Sequence, residues 1–157
     1  FLTALAAASW SQHYGVPLRI GRKSTPALMA RLARNCVQVE GVPRLGTLIG
    51  ILALRRDLHT VDFPGLRPWS GFVRANSPSP FQSVPVLIAQ AEADPLVAPA
   101  VTRRFARALC ANRVAVRWLD LAGGDHARMA RDSAAATIDW IDDRFAGRRG
   151  PSDCTRL

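Results

Sequence analysis

The sequence predicts an α/β fold in which short buried strands alternate with helices. Two continuous apolar runs rich in β-branched residues, 84–90 and 114–121, are typical of strands covered on both faces. A helical pattern of apolar residues follows each run. The order strand, helix, strand, helix implies a parallel pair joined by a crossover helix. Because two strands alone do not make a stable sheet, we expect most of the sheet to lie elsewhere.

Residues 1–55 predict three helices, over 1–14, 25–39 and 45–54. The second carries an apolar stripe at helical spacing, made of Leu28, Leu32, Cys36 and Val39. The chain starts inside the first helical pattern, without a methionine or a basic stretch before it. We therefore expect it to be a piece of a longer protein.

The composition changes after the third helix. Prolines interrupt the next stretch, so 61–83 is predicted as a connecting loop between a helical region, 1–60, and a strand-helix segment, 84–157. Within that segment a helix opens at Pro99, and a last helix carries the apolar stripe Ala134, Ile138, Ile141 and Phe145 before Gly147.

Composition excludes several classes of protein. The 157 residues suit one ordinary domain, and the longest apolar runs are far shorter than a bilayer span. Three cysteines exclude a dense disulfide scaffold, and no Cys/His spacing suits a structural zinc ion. The net charge of +9 comes almost entirely from arginines spread along the chain rather than clustered on one element, so nucleic acid is not an expected partner.

Two titratable residues follow the two predicted strands. Asp94 comes after the first strand, and His126 comes after the second, behind a pair of glycines. The carboxyl ends of parallel strands meet at one edge of a sheet, where ligands bind. An acid that orients a histidine, with that histidine as general base, forms two thirds of a nucleophilic triad.

Each residue also has a plainer interpretation. Asp94 precedes Pro95 and can simply start a turn. His126 can cap the next helix or lie in a solvated loop, and the neighbouring Asp125 is best interpreted as a loop residue. The two residues together, acid before histidine at successive strand ends, favour catalysis.

The sequence resembles the C-terminal region of the secretory lipases of the α/β-hydrolase superfamily. The resemblance is carried by Pro85-Val-Leu-Ile-Ala-Gln-Ala-Glu-Ala-Asp-Pro-Leu-Val-Ala-Pro99, Gly123-Gly-Asp-His126, Trp140-Ile-Asp-Asp-Arg-Phe-Ala-Gly147 and Pro151-Ser-Asp-Cys154. The earlier part, with Ser9-Trp-Ser-Gln-His-Tyr-Gly15, is similar to the family's helical cap. The resemblance implies a partial α/β-hydrolase fold, a cap followed by the last two strand-helix units of the parallel sheet.

By this resemblance Asp94 is the triad acid and His126 the triad base. The serine of such enzymes lies on a G-x-S-x-G elbow, which in family order precedes both the cap and the acid. No serine of this sequence has that context. The chain would then lack the half of the fold that carries the nucleophile and would be inactive alone.

The cysteines leave two alternatives open. Cys110 and Cys154 both belong to the C-terminal segment and can pair, which the extracellular setting of the family favours, and Cys36 is then left over. All three can instead be unpaired, with Cys36 as a buried thiol.

The expected function is that of a secreted or cell-surface carboxylic-ester hydrolase of the lipase or esterase type. Its partners would be an ester or lipid substrate, a lipid interface and the missing N-terminal half, and the resemblance implies no metal or organic cofactor. Two alternatives remain: a non-catalytic remnant or interaction module of a hydrolase, and a basic protein that binds nucleic acid or anionic lipid.

Overall fold

The computed structural model describes residues 2–34, 45–63, 65–123 and 126–157. The chain forms two compact units, Phe1–Ser77 and Pro78–Leu157. The boundary falls inside the segment predicted as a connection. No helix among the described residues is long and apolar enough to cross a membrane.

Unit 1 is helical. Its elements are α1 (Leu2–His13), α2 (Thr25–Arg34), α3 (Leu45–Leu58) and α4 (Trp69–Ala75). Small residues of α1, Ala4 and Ala7, let the helix lie close to its neighbours, and they are buried together with Met29 and Leu32 of α2. The Thr25 hydroxyl donates a hydrogen bond to Asp57 Oδ2 at 2.8 Å, which ties the start of α2 to the end of α3.

Unit 1 departs from the predicted elements in two places. Helix α3 continues past Leu54 to Leu58, because Leu54 and Leu58 both pack on the unit 1 core. The predicted connecting loop contains α4, whose Trp69 is fully buried in that core. The end predicted for the second helix, including Cys36, lies outside the described residues.

Unit 2 contains the predicted strand-helix order. Its elements are β1 (Val86–Ala91), α5 (Pro99–Ala111), β2 (Val116–Leu121) and α6 (Met129–Phe145). The strands are parallel and in register from Val86 opposite Val116 to Ala91 opposite Leu121. Both strands start two residues later than the apolar runs predict, and both end at the same edge. This two-stranded sheet is compatible with part of an α/β fold.

The core of unit 2 lies between α5 and the sheet. Ala106 and Leu109 of α5 are buried against Val116 and Trp118 of β2. The sequence predicts an apolar stripe of Val101, Phe105 and Leu109 on this helix; Leu109 is buried and Phe105 packs on the core, whereas Val101 is exposed.

The C-terminal tail covers the outer edge of β2. The Asp153 backbone N–H donates to the Val116 carbonyl at 2.7 Å, and the Trp118 N–H donates to Asp153 Oδ2 at 2.9 Å. Cys154 is joined to Cys110 by a disulfide, so the tail is also tied to α5. An exposed strand edge would otherwise be a template for pairing with another chain.

The apolar stripe of α6 is exposed rather than buried. Ile138 is 58% exposed and Phe145 88% exposed, although their spacing is that of a core-facing stripe. The helix ends at Phe145, and Gly147 follows the C-cap residue as predicted, with a φ of +73°, a left-handed conformation that glycine adopts without strain. Ser133 lies inside α6, and its hydroxyl donates to the Ala130 carbonyl.

Candidate active site

Asp94 lies in the turn between β1 and α5. Its backbone N–H donates to the Ala91 carbonyl at 3.4 Å, which closes the turn directly after the strand. Its Oδ1 atom accepts hydrogen bonds from the N–H groups of Leu96 and Val97 at 2.8 and 2.9 Å. The turn therefore fixes the plane of the carboxylate and leaves Oδ2 for another partner.

Gln90 supports the same turn from within the strand. Its buried side chain donates to the Ala91 carbonyl at 3.0 Å and to the Val97 carbonyl at 3.4 Å. It therefore bridges the end of β1 and the residue that donates to Asp94. This role of Gln90 was not predicted, although a polar residue at the end of an otherwise apolar run is a signal for it.

His126 reaches Asp94 from the loop after β2. The chain leaves the strand through Gly123, whose φ of +65° is left-handed, and residues 124–125, including Asp125, lie outside the described part. The His126 Nδ1 atom lies 2.8 Å from Asp94 Oδ2. The Asp94 side chain is fully buried, whereas that of His126 is 36% exposed.

Asp94 is held in its ionised form. Burial by itself raises the pKa of this carboxyl group, but hydrogen bonds from Val97, the His126 ring and Leu96 lower it further than burial raises it. The pKa of Asp94 therefore lies below its ordinary value.

The pair can hold the histidine in one tautomer. An ionised carboxylate only accepts hydrogen bonds, so Nδ1 of His126 carries the proton that faces Asp94. The other ring nitrogen, Nε2, then has a lone pair that can take a proton, and the buried carboxylate stabilises the charged ring that results. This geometry suits a general base.

The remaining cysteines, histidines and serines of chemical interest among the described residues lie away from this pair in the sequence. Cys110 and Cys154 form the disulfide at the tail. His13 and His59 are exposed. Four serines of the described residues lie on helices: Ser9 and Ser11 on α1, Ser70 on α4 and Ser133 on α6. Within the described ranges, no group of His, Cys, Asp and Glu side chains could hold a metal ion.

Asp153 is a second buried carboxylate and was not among the predicted site residues. It binds the Trp118 N–H and the side chains of Arg117 and Arg156. Burial raises the pKa of this group, but these hydrogen bonds and charges lower it further, to below its ordinary value. Its partners lie in β2 and the tail, so its role is to hold the tail.

An acid after one parallel strand, joined to a histidine after the next, is the arrangement of hydrolases built on an α/β sheet. Residues 75–152, about half of the chain, match the family model of the secretory lipases. Over this part of its length the chain belongs to the secretory lipase family and is a lipase-like hydrolase at the level of the family. No curated protein and no solved structure matches the chain.

Proposed function

We propose that this chain supplies the acid and the base of a Ser-Asp-His triad in a secreted or cell-surface carboxylic-ester hydrolase. Asp94 orients His126, and Nε2 of His126 takes the proton of a serine that lies outside these 157 residues. In this proposal residues 1–60 form a cap, 61–83 a connection and 84–157 the last part of the catalytic core. The single observation that supports it best is the 2.8 Å contact between His126 Nδ1 and Asp94 Oδ2.

Two features of unit 2 support the proposal that another part of the fold packs here. The outer edge of β2 is covered by the tail, so further strands would have to join the sheet beside β1. The exposed stripe of α6, with Ile138 and Phe145, is an apolar surface of the kind that such an addition would bury. A half fold with these surfaces uncovered has no nucleophile and should be inactive by itself.

The test restores the missing half. The elbow-bearing N-terminal segment of an active secretory lipase is joined in frame before residue 1, and hydrolysis of p-nitrophenyl esters is measured. We expect the 157-residue chain alone to give background rates and the joined protein to turn over. His126→Ala in the joined protein should lower kcat by about 10⁴-fold or more, because the serine then has no base.

His59→Ala is the matched control, since His59 is an exposed histidine of unit 1. It should leave kcat unchanged. The proposal is wrong if the 157-residue chain turns over by itself in a manner that depends on His126. It is also wrong if a folded, active joined protein keeps its rate after His126→Ala. A joined protein that folds but has no activity would favour the alternative of a non-catalytic interaction module.

The exposed surface of α3 supports the proposal that the chain binds a lipid interface. Leu45, Ile49 and Leu52 lie on one side of this helix and are 73, 59 and 64% exposed. Arg55 and Arg56 follow in its last turn and are exposed too. An apolar stripe next to cationic side chains is suited to an anionic lipid surface, where the stripe enters the headgroup boundary.

Binding to lipid vesicles tests this interface and does not require ester hydrolysis. We expect the chain to bind vesicles that contain phosphatidylserine and to bind neutral phosphatidylcholine vesicles more weakly. Arg55→Gln with Arg56→Gln should weaken binding to the anionic vesicles by about thirtyfold, at about 1 kcal/mol per arginine, and should barely affect the neutral ones. Arg104→Gln with Arg113→Gln, at two exposed arginines of unit 2, removes the same charge as a control. Equal effects of the two double variants would contradict a role for α3.

A further inference from the structure

Unit 2 contains two arginine–tryptophan pairs with similar geometry. The Arg103 guanidinium carbon lies 4.8 Å from the ring centroid of Trp118, and that of Arg144 lies 5.1 Å from the ring centroid of Trp140. In both pairs the cation stands over an aromatic ring, which is a favourable arrangement in itself. The pairs differ in what the remaining nitrogen donors bind.

The first pair shares a carboxylate. The Trp118 indole N–H donates to Asp120 Oδ1 at 2.6 Å, and Arg103 Nη2 lies 3.4 Å from the same oxygen. A single acid group thus serves both the indole and the guanidinium. The first pair therefore provides an example, within this molecule, of the ligand that such a pair binds.

The second pair has the same donors but no such acid. Two of the three guanidinium nitrogens of Arg144 donate to the carbonyls of Arg148 and Arg149, at 3.0 and 2.8 Å. Its third nitrogen, Nη1, and the indole nitrogen Nε1 of Trp140 are buried and have no acceptor among the described residues. Buried donors without acceptors are rare in folded proteins, because burial removes their hydrogen bonds to water and no other hydrogen bond replaces them.

The residues that carry these donors, Trp140 and Arg144, line a cavity of about 700 Å³, within the size range of small-molecule sites. It lies at the N-terminal ends of β1 and β2, opposite to the edge that carries Asp94 and His126. Its apolar part is formed by Val84, Pro85, Ala115 and the ring of Trp140, and its cationic part by Arg144, Arg148 and Arg149. Apolar walls beside positive charge suit a molecule with an acid group and an apolar chain.

We infer that Trp140 and Arg144 form a binding site for the carboxylate of an acid that carries an apolar chain, which lies against Val84 and Pro85. The carboxylate accepts from Trp140 Nε1 and Arg144 Nη1, as Asp120 accepts from the first pair. Gly150 lies over Nη1, since a Cβ built on it would stand 3.6 Å from that atom. The acid must therefore displace part of this wall, and the two new hydrogen bonds offset that cost.

Dodecanoate, below its micelle-forming concentration, is the probe for this site. The indole N–H signals of the ¹⁵N-labelled chain are followed by NMR, with the Trp140 signal assigned by its loss in Trp140→Phe. We expect dodecanoate to shift the Trp140 signal saturably and to leave that of Trp118 in place, because Asp120 already occupies the Trp118 donor. Acetate and dodecanol, which each lack one half of the proposed ligand, should bind at least tenfold more weakly.

Two variants test the two donors separately. Arg144→Gln should weaken dodecanoate binding by about tenfold or more, the usual value of a hydrogen bond to a charged group. Trp140→Phe removes the indole donor while keeping an aromatic ring, and it should also weaken dodecanoate binding, measured by calorimetry. This second variant tests the site even if Arg144→Gln disturbs the turn at Arg148. Arg103→Gln, in the first pair, is the matched control and should leave binding unchanged.

The inference is wrong if dodecanol binds as tightly as dodecanoate, because the acid group then contributes nothing. It is equally wrong if acetate binds as tightly, if Trp118 shifts with Trp140, or if Arg103→Gln and Arg144→Gln weaken binding alike. None of these measurements involves ester hydrolysis, so their failure would leave the proposed function untouched.

Discussion

Replacing Asp94 by asparagine in the joined protein is expected to lower kcat by about 10⁴-fold with little change in KM. The reason is a reversal of the tautomer of His126. The asparagine oxygen can still accept from the N–H groups of Leu96 and Val97, as Oδ1 of Asp94 does. Its amide NH₂ then faces the histidine, so Nδ1 must accept and Nε2 carries the proton. A ring in that state cannot take a proton from a serine.

Two measurements separate this effect from a general disturbance of the fold. The ¹⁵N chemical shifts of the His126 ring should show the proton on Nδ1 in the parent protein and on Nε2 in Asp94→Asn. Asp62→Asn makes the same chemical change at an exposed aspartate of unit 1 and should alter neither kcat nor the ring. A ring that keeps its proton on Nδ1 in Asp94→Asn, or a fall of less than tenfold in kcat, would contradict the proposed role of Asp94.

The juxtaposition of Asp94 and His126 could be predicted because it follows from topology. Apolar runs marked the two strands, and parallel strands bring their carboxyl ends to one edge, so residues 32 positions apart became neighbours. Which carboxylate oxygen of Asp94 binds the turn and which one binds His126 could not be predicted. It depends on hydrogen bonds from the N–H groups of Leu96 and Val97 and from the Gln90 side chain. The geometry of the turn sets these bonds, and the hydrophobic pattern of the sequence does not reveal it.

The features that were not predicted all depend on contacts with residues that are distant in the sequence. Helix α4 has only seven residues, too few to show a period, and it forms because Trp69 is buried in the unit 1 core. The stripe of α6 was correctly found as apolar, but periodicity says which side of a helix is apolar and not what covers it, and Phe145 is exposed. The contact between Asp153 and Trp118 joins positions 35 apart through one carboxylate, which leaves no trace in local sequence.

Asp153 also carries a prediction for stability. Replacing it by asparagine removes the charge that faces Arg117 and Arg156 and weakens the bond to the Trp118 N–H. Its side chain is only 10% exposed, so these interactions are largely shielded from water. We expect Asp153→Asn to lower the free energy of unfolding of unit 2 by about 2–3 kcal/mol at pH 7. The disulfide between Cys110 and Cys154 keeps the tail nearby, so the loss reports the carboxylate and not the release of the tail.

The effect of Asp153→Asn should depend on pH in one direction. The pKa of Asp153 is lowered in the folded chain, so its stabilisation is fully present above the ordinary carboxyl range, near pH 4, and is lost as the pH falls through the lowered value. The gap between the parent chain and Asp153→Asn should therefore be largest at neutral pH and narrow toward pH 3. Urea titrations followed through the Trp118 indole signal at both pH values measure it, with Asp139→Asn, an exposed aspartate of α6, as the control. A gap of the same size at both pH values would contradict this prediction, because the loss would then not depend on the ionisation of Asp153.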